Sequence, residues 1–263
     1  MTGPLTQSHS VAQGPPMVTV AVPSAAHGHF LGDALASVFA AGASVEVFVA
    51  DAGSEDGTLA VIESWAPRLS GWRSQPDRGQ AAAINEAISW GSAPLVTWLN
   101  SDDRLLPGSL GALAAVLAAE PDAPGAYGRV WNVGPDLKRR SRVWVQPFSE
   151  FWLANRCIIS QPGTLVRRAA WEAVGGVAED LEMAFDYDLW WRLYRRFGRL
   201  SYLRRDVGEN RVHPGTKTLT RRRQHYLEAF GVVRRHRGSV PLRWWLWWPW
   251  AVWVRSMLYA QRS

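Results

Sequence analysis

Residues 95–103 read LVTWLNSDD: five apolar or β-branched residues, then Asn100, Ser101 and two adjacent carboxylates, Asp102 and Asp103. A run of that length without polar alternation predicts a strand buried on both faces, as in a parallel sheet covered by helices. In an open parallel sheet, ligands bind at the carboxyl ends of the strands. Side-by-side carboxylates repel, so such a pair needs a cation or protons to be comfortable. Hard oxygen ligands at a strand end suit Mg2+ or Mn2+ holding a diphosphate. A solvated turn capping the helix near Pro107 accounts equally well for the spacing taken alone.

Upstream, the same architecture repeats. Met17–Val22 and Val45–Ala50 are short apolar, β-branched runs ended by Pro23 and Asp51, and a weaker strand is expected around Trp72. Helical spacing fills the intervals: Phe30–Ala41, Leu59–Trp65 and Ala81–Trp90. Short connections and alternating strands and helices predict an α/β fold with a mostly parallel central sheet. Downstream of Pro107 the spacing predicts helices at Ser109–Ala119, Arg168–Val174 and Asp186–Phe197, with strands at Ala126–Asn132 and Arg142–Val145. Residues 1–16 have no periodicity and are expected to lack structure. The rest divides into an α/β domain over 17–218 and a basic, Trp-rich helical extension over 219–263, beginning with one helix at Thr218–Arg237.

Composition narrows the classes. The 263 residues, 47% hydrophobic and 20% charged, suffice for one large packed domain and exclude global disorder. One cysteine, Cys157, excludes a disulfide framework or a Cys-rich zinc site. The N-terminus has neither a basic n-region nor an apolar run, so a cytoplasmic location is the default expectation. The net charge of +6 is uneven: residues 1–191 carry 12 Lys+Arg against 20 Asp+Glu, and the remainder 17 against 3. A basic tail of that density points to phosphate-bearing partners. A nucleic-acid-binding protein is the rival class, but no recognisable nucleic-acid-binding motif accompanies the charge, and nucleic acid is not expected.

Two further clusters carry chemistry. Asp186-Tyr187-Asp188 opens an apolar helix, where Asp is also favoured simply as a cap. Arg211–Thr218 (RVHPGTKT) gathers Arg211, His213 and Lys217 beside hydroxyls, a composition that suits a phosphate.

Taken in order, VEVFVADAGSEDGT (45–58), QPDRGQAAAIN (75–85), WLNSDD (98–103), DYDLW (186–190) and RVHPGTKT (211–218) resemble family 2 glycosyltransferases of the GT-A fold, most closely the bacterial branch carrying a WLNSDD segment. The resemblance implies a metal-dependent inverting enzyme with Mn2+ or Mg2+, moving a sugar from a nucleotide-diphosphate sugar, UDP most commonly, to a hydroxyl of a glycan, lipid-linked saccharide or small molecule. It implies nucleotide-sugar binding by Pro23, Ser24, Asp51, Arg78, Gln80, Asp102 (on the ribose) and Lys217. It implies metal ligation by Asp103 and His213, and Asp186 as general base. The chemistry fits: an attacking hydroxyl must lose its proton, and a departing diphosphate gathers charge that cations stabilise. A catalytically idle nucleotide-sugar scaffold is the alternative within the family. Three positions depart from the family: Ala26 replaces a usual Asn, Phe185 replaces the Glu before the basic Asp, and Arg129 stands where this branch often has Asp.

The tail closes the sequence with RWWLWWPWAVWVR (243–255), containing six of the 16 tryptophans. Eleven apolar residues interrupted by Pro249 are too short for a span of roughly 20. Trp and Arg favour the headgroup region, so residues 239–263 are expected either to make a peripheral membrane contact or to pack as a helix on the protein or a dimer partner.

Overall fold

The computed structural model describes residues 6–7 and 14–250. Ten strands join in one mixed sheet: β1 (Thr6–Gln7), β2 (Val18–Ser24), β3 (Val45–Asp51), β4 (Gly71–Ser74), β5 (Leu95–Trp98), β6 (Arg104–Leu105), β7 (Gly125–Val133), β8 (Arg139–Arg142), β9 (Thr164–Arg167) and β10 (Ser201–Arg211). The order is β1-β4-β3-β2-β5-β9-β7-β10-β6, with β8 paired to β7. The four strands read from the N-terminal sequence, β4-β3-β2-β5, are mutually parallel, and β9 turns the sheet antiparallel by pairing with both β5 and β7.

All seven residues of β2 are buried, as its unbroken apolar run requires of a strand covered on both faces. On one face Val18, Val20 and Val22 meet Leu31, Leu35 and Val38 of α1 (Gly28–Phe39), Ile62 of α2 (Thr58–Trp65), and Leu110, Leu113 and Leu117 of α4 (Ser109–Ala119). On the other face Ala21, Phe48 and Trp98 meet Ile84 and Ile88 of α3 (Gln80–Ser89), Trp171 of α6 (Arg168–Val174) and Trp190 of α7 (Phe185–Phe197). Trp98 stacks on Trp190 with ring centroids 6.0 Å apart, so β5 is coupled directly to α7.

Several expectations are corrected. Thr6 and Gln7, within the segment expected to lack structure, pair antiparallel with Trp72 and Gly71. The strand expected at Arg142–Val145 lies at β8, three residues earlier. The basic helix breaks at Arg221 into α8 (Lys217–Thr220) and α9 (Arg222–Arg237). Sequence patterning also missed α5 (Glu150–Asn155), β9 and the eleven-residue β10.

The described part of the C-terminal extension packs on the domain. Ala229, Val232 and Val233 of α9 and Trp244 of α10 (Leu242–Pro249) lie in the same apolar cluster as Trp190 and Leu193. Asp188 is held by His236 at 2.8 Å and by Arg192 at 2.6 Å, tying the start of α7 to the end of α9. Among the described residues, no helix is long and apolar enough to cross a membrane. Residues 251–263 of the Trp-rich tail lie outside the described residues.

Candidate active site

The carboxyl ends of β2 and β5, the start of α3, the start of α7 and the turn after β10 surround one cleft of about 640 Å³. Pro23 and Ser24 end β2; Gln80 opens α3 behind Gly79, whose φ of 114° is a left-handed value that glycine adopts without strain. Asp102 and Asp103 follow β5, Asp186 lies in the first turn of α7, and Lys217 opens α8. All seven of these expected site residues line the cleft.

Its most concentrated chemistry is a trio. Ligand atoms of His27, Asp102 and His213 lie within 4.8 Å of one another. His213 Nε2 sits 3.1 Å from Asp102 Oδ2, and His27 Nδ1 sits 2.9 Å from Ser101 Oγ. Burial lowers the His27 pKa, opposed by the charge of Asp102. Two imidazoles and one carboxylate converging from three loops fit a divalent cation such as Mn2+, since imidazole and carboxylate are both ligands for such metals. His27 was missed by sequence reasoning, although its position three residues after the end of β2 is a signal that could have found it.

Asp103 stands apart from the trio. It is 2% exposed. Its Oδ1 accepts from the backbone N–H of Arg211 at 2.9 Å, and its Oδ2 from Asn100 Nδ2 at 3.0 Å. Burial, and then the neighbouring Asp102, push its pKa well above the usual carboxylate range. Asp102 faces His213, while Asp103 pins the end of β10 to the β5 loop.

Asp51 and Arg78 do not line the cleft. Asp51 is buried and fully engaged, accepting from the backbone N–H groups of Gly53 and Ser54 and from the hydroxyls of Ser54 and Ser74. It shapes the loop behind Pro23 rather than offering a free carboxylate. The Arg78 side chain is 82% exposed and pairs with Glu179 at 3.1 Å. Arg211, from the expected cationic cluster, is also structural, buried between Asp33 at 3.0 Å and the Phe30 ring at 4.3 Å.

A polar relay crosses the floor. Lys217 Nζ donates to Gln80 Oε1 at 2.9 Å, Gln80 Nε2 to Asn100 Oδ1 at 2.8 Å, and Asn100 onward to Asp103. Burial, ahead of the repulsion from Arg221, lowers the Lys217 pKa. The Oγ of Ser24, the Oε1 of Gln161 and the Nε1 of Trp98, all in cleft-lining residues, are buried without a partner among the described residues. Unpaired polar atoms are costly to bury and are consistent with a cleft built around a polar ligand.

Asp186 sits opposite in character. Its carboxylate accepts from the Tyr187 backbone N–H at 2.7 Å, and burial raises its pKa to about 6. A carboxylate poised near neutrality is suited to accept a proton. The three departures have physical counterparts. Ala26 has a left-handed φ of 55°, a conformation Asn tolerates better than Ala. Phe185 is buried against Trp98, and Arg129 pairs with Asp206 at 2.8 Å.

The family description "Glycosyl transferase family 2" matches residues 19–175, more than half of the chain. Chondroitin synthase of Pasteurella multocida (strain Pm70) is 27% identical over 203 residues, covering 74% of this chain and 21% of that protein. The chain thus spans about a fifth of that relative. Among solved structures, the mannosyltransferase PcManGT from Pyrobaculum calidifontis, in complex with GDP-Man and Mn2+, superposes with a TM-score of 0.67 at 19% identity, covering 98% of this chain and 78% of that one. S. aureus TarS 1–349, in complex with UDP-GlcNAc, gives 0.65 at 17% identity, covering 83% and 66%.

Proposed function

This chain belongs to glycosyl transferase family 2, and from that membership we propose that it moves a sugar from a nucleotide-diphosphate sugar to a hydroxyl of a glycan or lipid-linked acceptor, with inversion at the anomeric carbon. The observation that carries the reading is one cleft lined both by His27 and Asp102, which His213 joins in a trio, and by a carboxylate, Asp186, whose pKa burial lifts to about 6.

Pro23, Ser24, Gln80 and Lys217 form the donor end. The free Ser24 hydroxyl and the Lys217 ammonium are available to a ribose or phosphate oxygen. His27, Asp102 and His213 would hold Mn2+ or Mg2+, which supplies charge stabilisation to a departing diphosphate. Asp186 accepts the proton of the acceptor hydroxyl as that oxygen attacks the anomeric carbon. One base opposite the leaving group suffices for direct displacement, and the product is inverted. Asp103 positions the loop after β5 and Asp51 shapes the turn after β3. A UDP-sugar is the first donor to try, because the TarS structure carries UDP-GlcNAc; GDP-mannose, carried by PcManGT, is the second.

Peripheral association with the cytoplasmic face of a membrane belongs to the same reading. Leu242 and Leu246, one helical turn apart on α10, are 71% and 70% exposed beside half-exposed Trp245 and Trp247.

A melting-temperature panel of UDP, UDP-sugars and GDP-mannose, each with and without Mn2+, tests the donor site, since a ligand of the native state raises its stability. A Mn2+-dependent rise with one sugar nucleotide is expected. No rise with any of them would overturn the reading.

A further inference from the structure

Gln161 opens the short turn Gln161–Gly163 that leads into β9, and Ser160, Gln161 and Pro162 all line the cleft. The turn is firmly held. Thr164 Oγ1 donates to the Gln161 carbonyl at 2.8 Å, and Thr97 Oγ1 of β5 donates to the Thr164 carbonyl at 2.8 Å. Gly163 lies so close to β7 and β10 that a Cβ there would meet Val130 at 2.8 Å and Val207 at 3.0 Å. Gln161 itself is 7% exposed, and its Nε2 donates to the backbone carbonyl of Trp98, the last residue of β5.

That contact decides which way the amide faces. A carbonyl can only accept, so the nitrogen must point at Trp98 and the oxygen away from it. Oε1 is buried and has no partner among the described residues. Leaving a buried amide oxygen unmatched is costly. An amide oxygen is matched by an O–H or N–H and opposed by a phosphate or carboxylate oxygen. The chemistry it asks for is that of a sugar hydroxyl or amide, not that of the diphosphate.

Its position agrees. Trp98 leads into the loop that carries Asp102, and the Trp98 ring lies 6.2 Å from that of Phe185, the residue before Asp186. Gln161 is thus anchored to the residue that connects the loop of the cation trio to the start of α7. In a direct displacement the transferred sugar spans the interval between diphosphate and base, with its anomeric carbon open to the attacking oxygen.

We infer that Gln161 is a specificity-determining residue of the subsite for the transferred sugar: its Oε1 accepts a hydrogen bond from a neutral donor group, a hydroxyl or an amide N–H, on that sugar. The inference deepens the proposed glycosyl transfer and rests on it. A sugar with only hydrogen at that position leaves Oε1 unpaired, and one with a carboxylate there sets acceptor against acceptor. Sites built to pair a buried polar group reject analogues in this way.

Calorimetric titration of the full chain in Mn2+ tests the assignment, with UDP, UDP-glucose, UDP-galactose, UDP-N-acetylglucosamine, GDP and GDP-mannose as ligands. Gln161→Met fills a similar space without the amide. It is expected to bind the sugar nucleotide preferred by the parent at least about tenfold more weakly, and the bare nucleoside diphosphate within about twofold of the parent. Gln161→Asn keeps an amide but is a methylene too short to hold Trp98 and reach the sugar together, and it should show the same split even where the Met variant fails to fold. Analogues of the preferred sugar nucleotide, each with one hydroxyl or the acetamido group replaced by hydrogen, locate the contact. One of them should bind the parent weakly and lose nothing further in the variant, as for two partners of a single hydrogen bond. Equal losses for the sugar nucleotide and its nucleoside diphosphate, or no loss for either, overturn the inference and leave glycosyl transfer standing. So does a further loss in the variant with every analogue. A parent that binds none of these nucleotides would sink the glycosyl-transfer reading itself.

Discussion

Glu228 Oε2 accepts the backbone N–H of Ala184 at 3.0 Å, so a side chain of the basic helix α9 fixes the residue that leads into α7. The same oxygen accepts from Met183 at 2.7 Å. The N–H of the N-cap residue and of the residue before it are thereby satisfied from outside the helix. Asp186 lies two residues further on, and the segment that composition set apart as an appendage holds the candidate base in place.

Glu228→Ala should lower turnover about tenfold or more while leaving the Mn2+-dependent melting shift with donor unchanged. It should also destabilise the protein by about 1–3 kcal/mol, the cost of stranding buried donors. Glu228→Gln keeps an acceptor oxygen and should restore much of the turnover. A fall in donor affinity equal to the fall in turnover would show Glu228 acting on the whole fold instead.

Asp186→Asn should keep donor binding and reduce turnover at least about a hundredfold, the scale of a lost general base. In the unaltered chain the rate should rise with pH through about 6 and then level, because the ionised carboxylate is the active form. The stability effect has the opposite sign. A folded-state pKa raised above the unfolded value of 3.8 means the native state holds the proton longer, so this group's contribution to stability falls between about pH 4 and 6. Above pH 6 the Asn variant should melt no lower than the parent, and melting curves at pH 4 and 8 check that sign.

Asp102→Ala should abolish the Mn2+ dependence of donor binding with little change in melting temperature, since it removes a ligand at a loop surface. Asp103→Ala should do the reverse. Losing it strands the buried Arg211 N–H and the Asn100 amide, and about 1–3 kcal/mol of stability should go with them. If Asp103→Ala removes metal dependence in a protein of unchanged melting temperature, the two roles are exchanged.

The adjacency of these carboxylates explains what the sequence could and could not carry. β2, β3 and β5 are buried on both faces and announce themselves as apolar runs; α1, α4 and α6 were visible through spacing. β10 escaped because its polar residues are neutralised from other strands: Asp206 by Arg129 and the Trp131 indole, Glu209 by Arg104 at 3.8 Å. Local polarity reads as a loop when the compensating charge lies far away along the chain. Motif spacing placed both aspartates at the strand end, yet only the fold decides which one turns toward His213, 111 residues on. Arg78 and Asp51 show the converse, residues of the expected type whose partners in the fold, Glu179 and the Ser54 loop, draw them away from the cleft.

The last test concerns α10. Deleting it would remove Trp244, which is buried and donates to Ala154, and would uncover Tyr226 and Phe230. Truncation therefore confuses folding with surface contact. Leu242→Ser with Leu246→Ser changes only the outer face and leaves that packing intact. Each leucine entering an apolar phase contributes about 1 kcal/mol or more, so the pair should lower partition onto vesicles by about tenfold or more. Basic residues near an anionic surface add about 1 kcal/mol each at low screening, and the flotation of the parent should weaken as salt rises. The comparison is flotation of parent and variant with vesicles containing phosphatidylglycerol at two salt concentrations. Equal flotation of both would place the membrane contact elsewhere on the chain. A parent that never floats would assign the exposed leucines and tryptophans to a protein partner, and the acceptor would then reach Asp186 from solution.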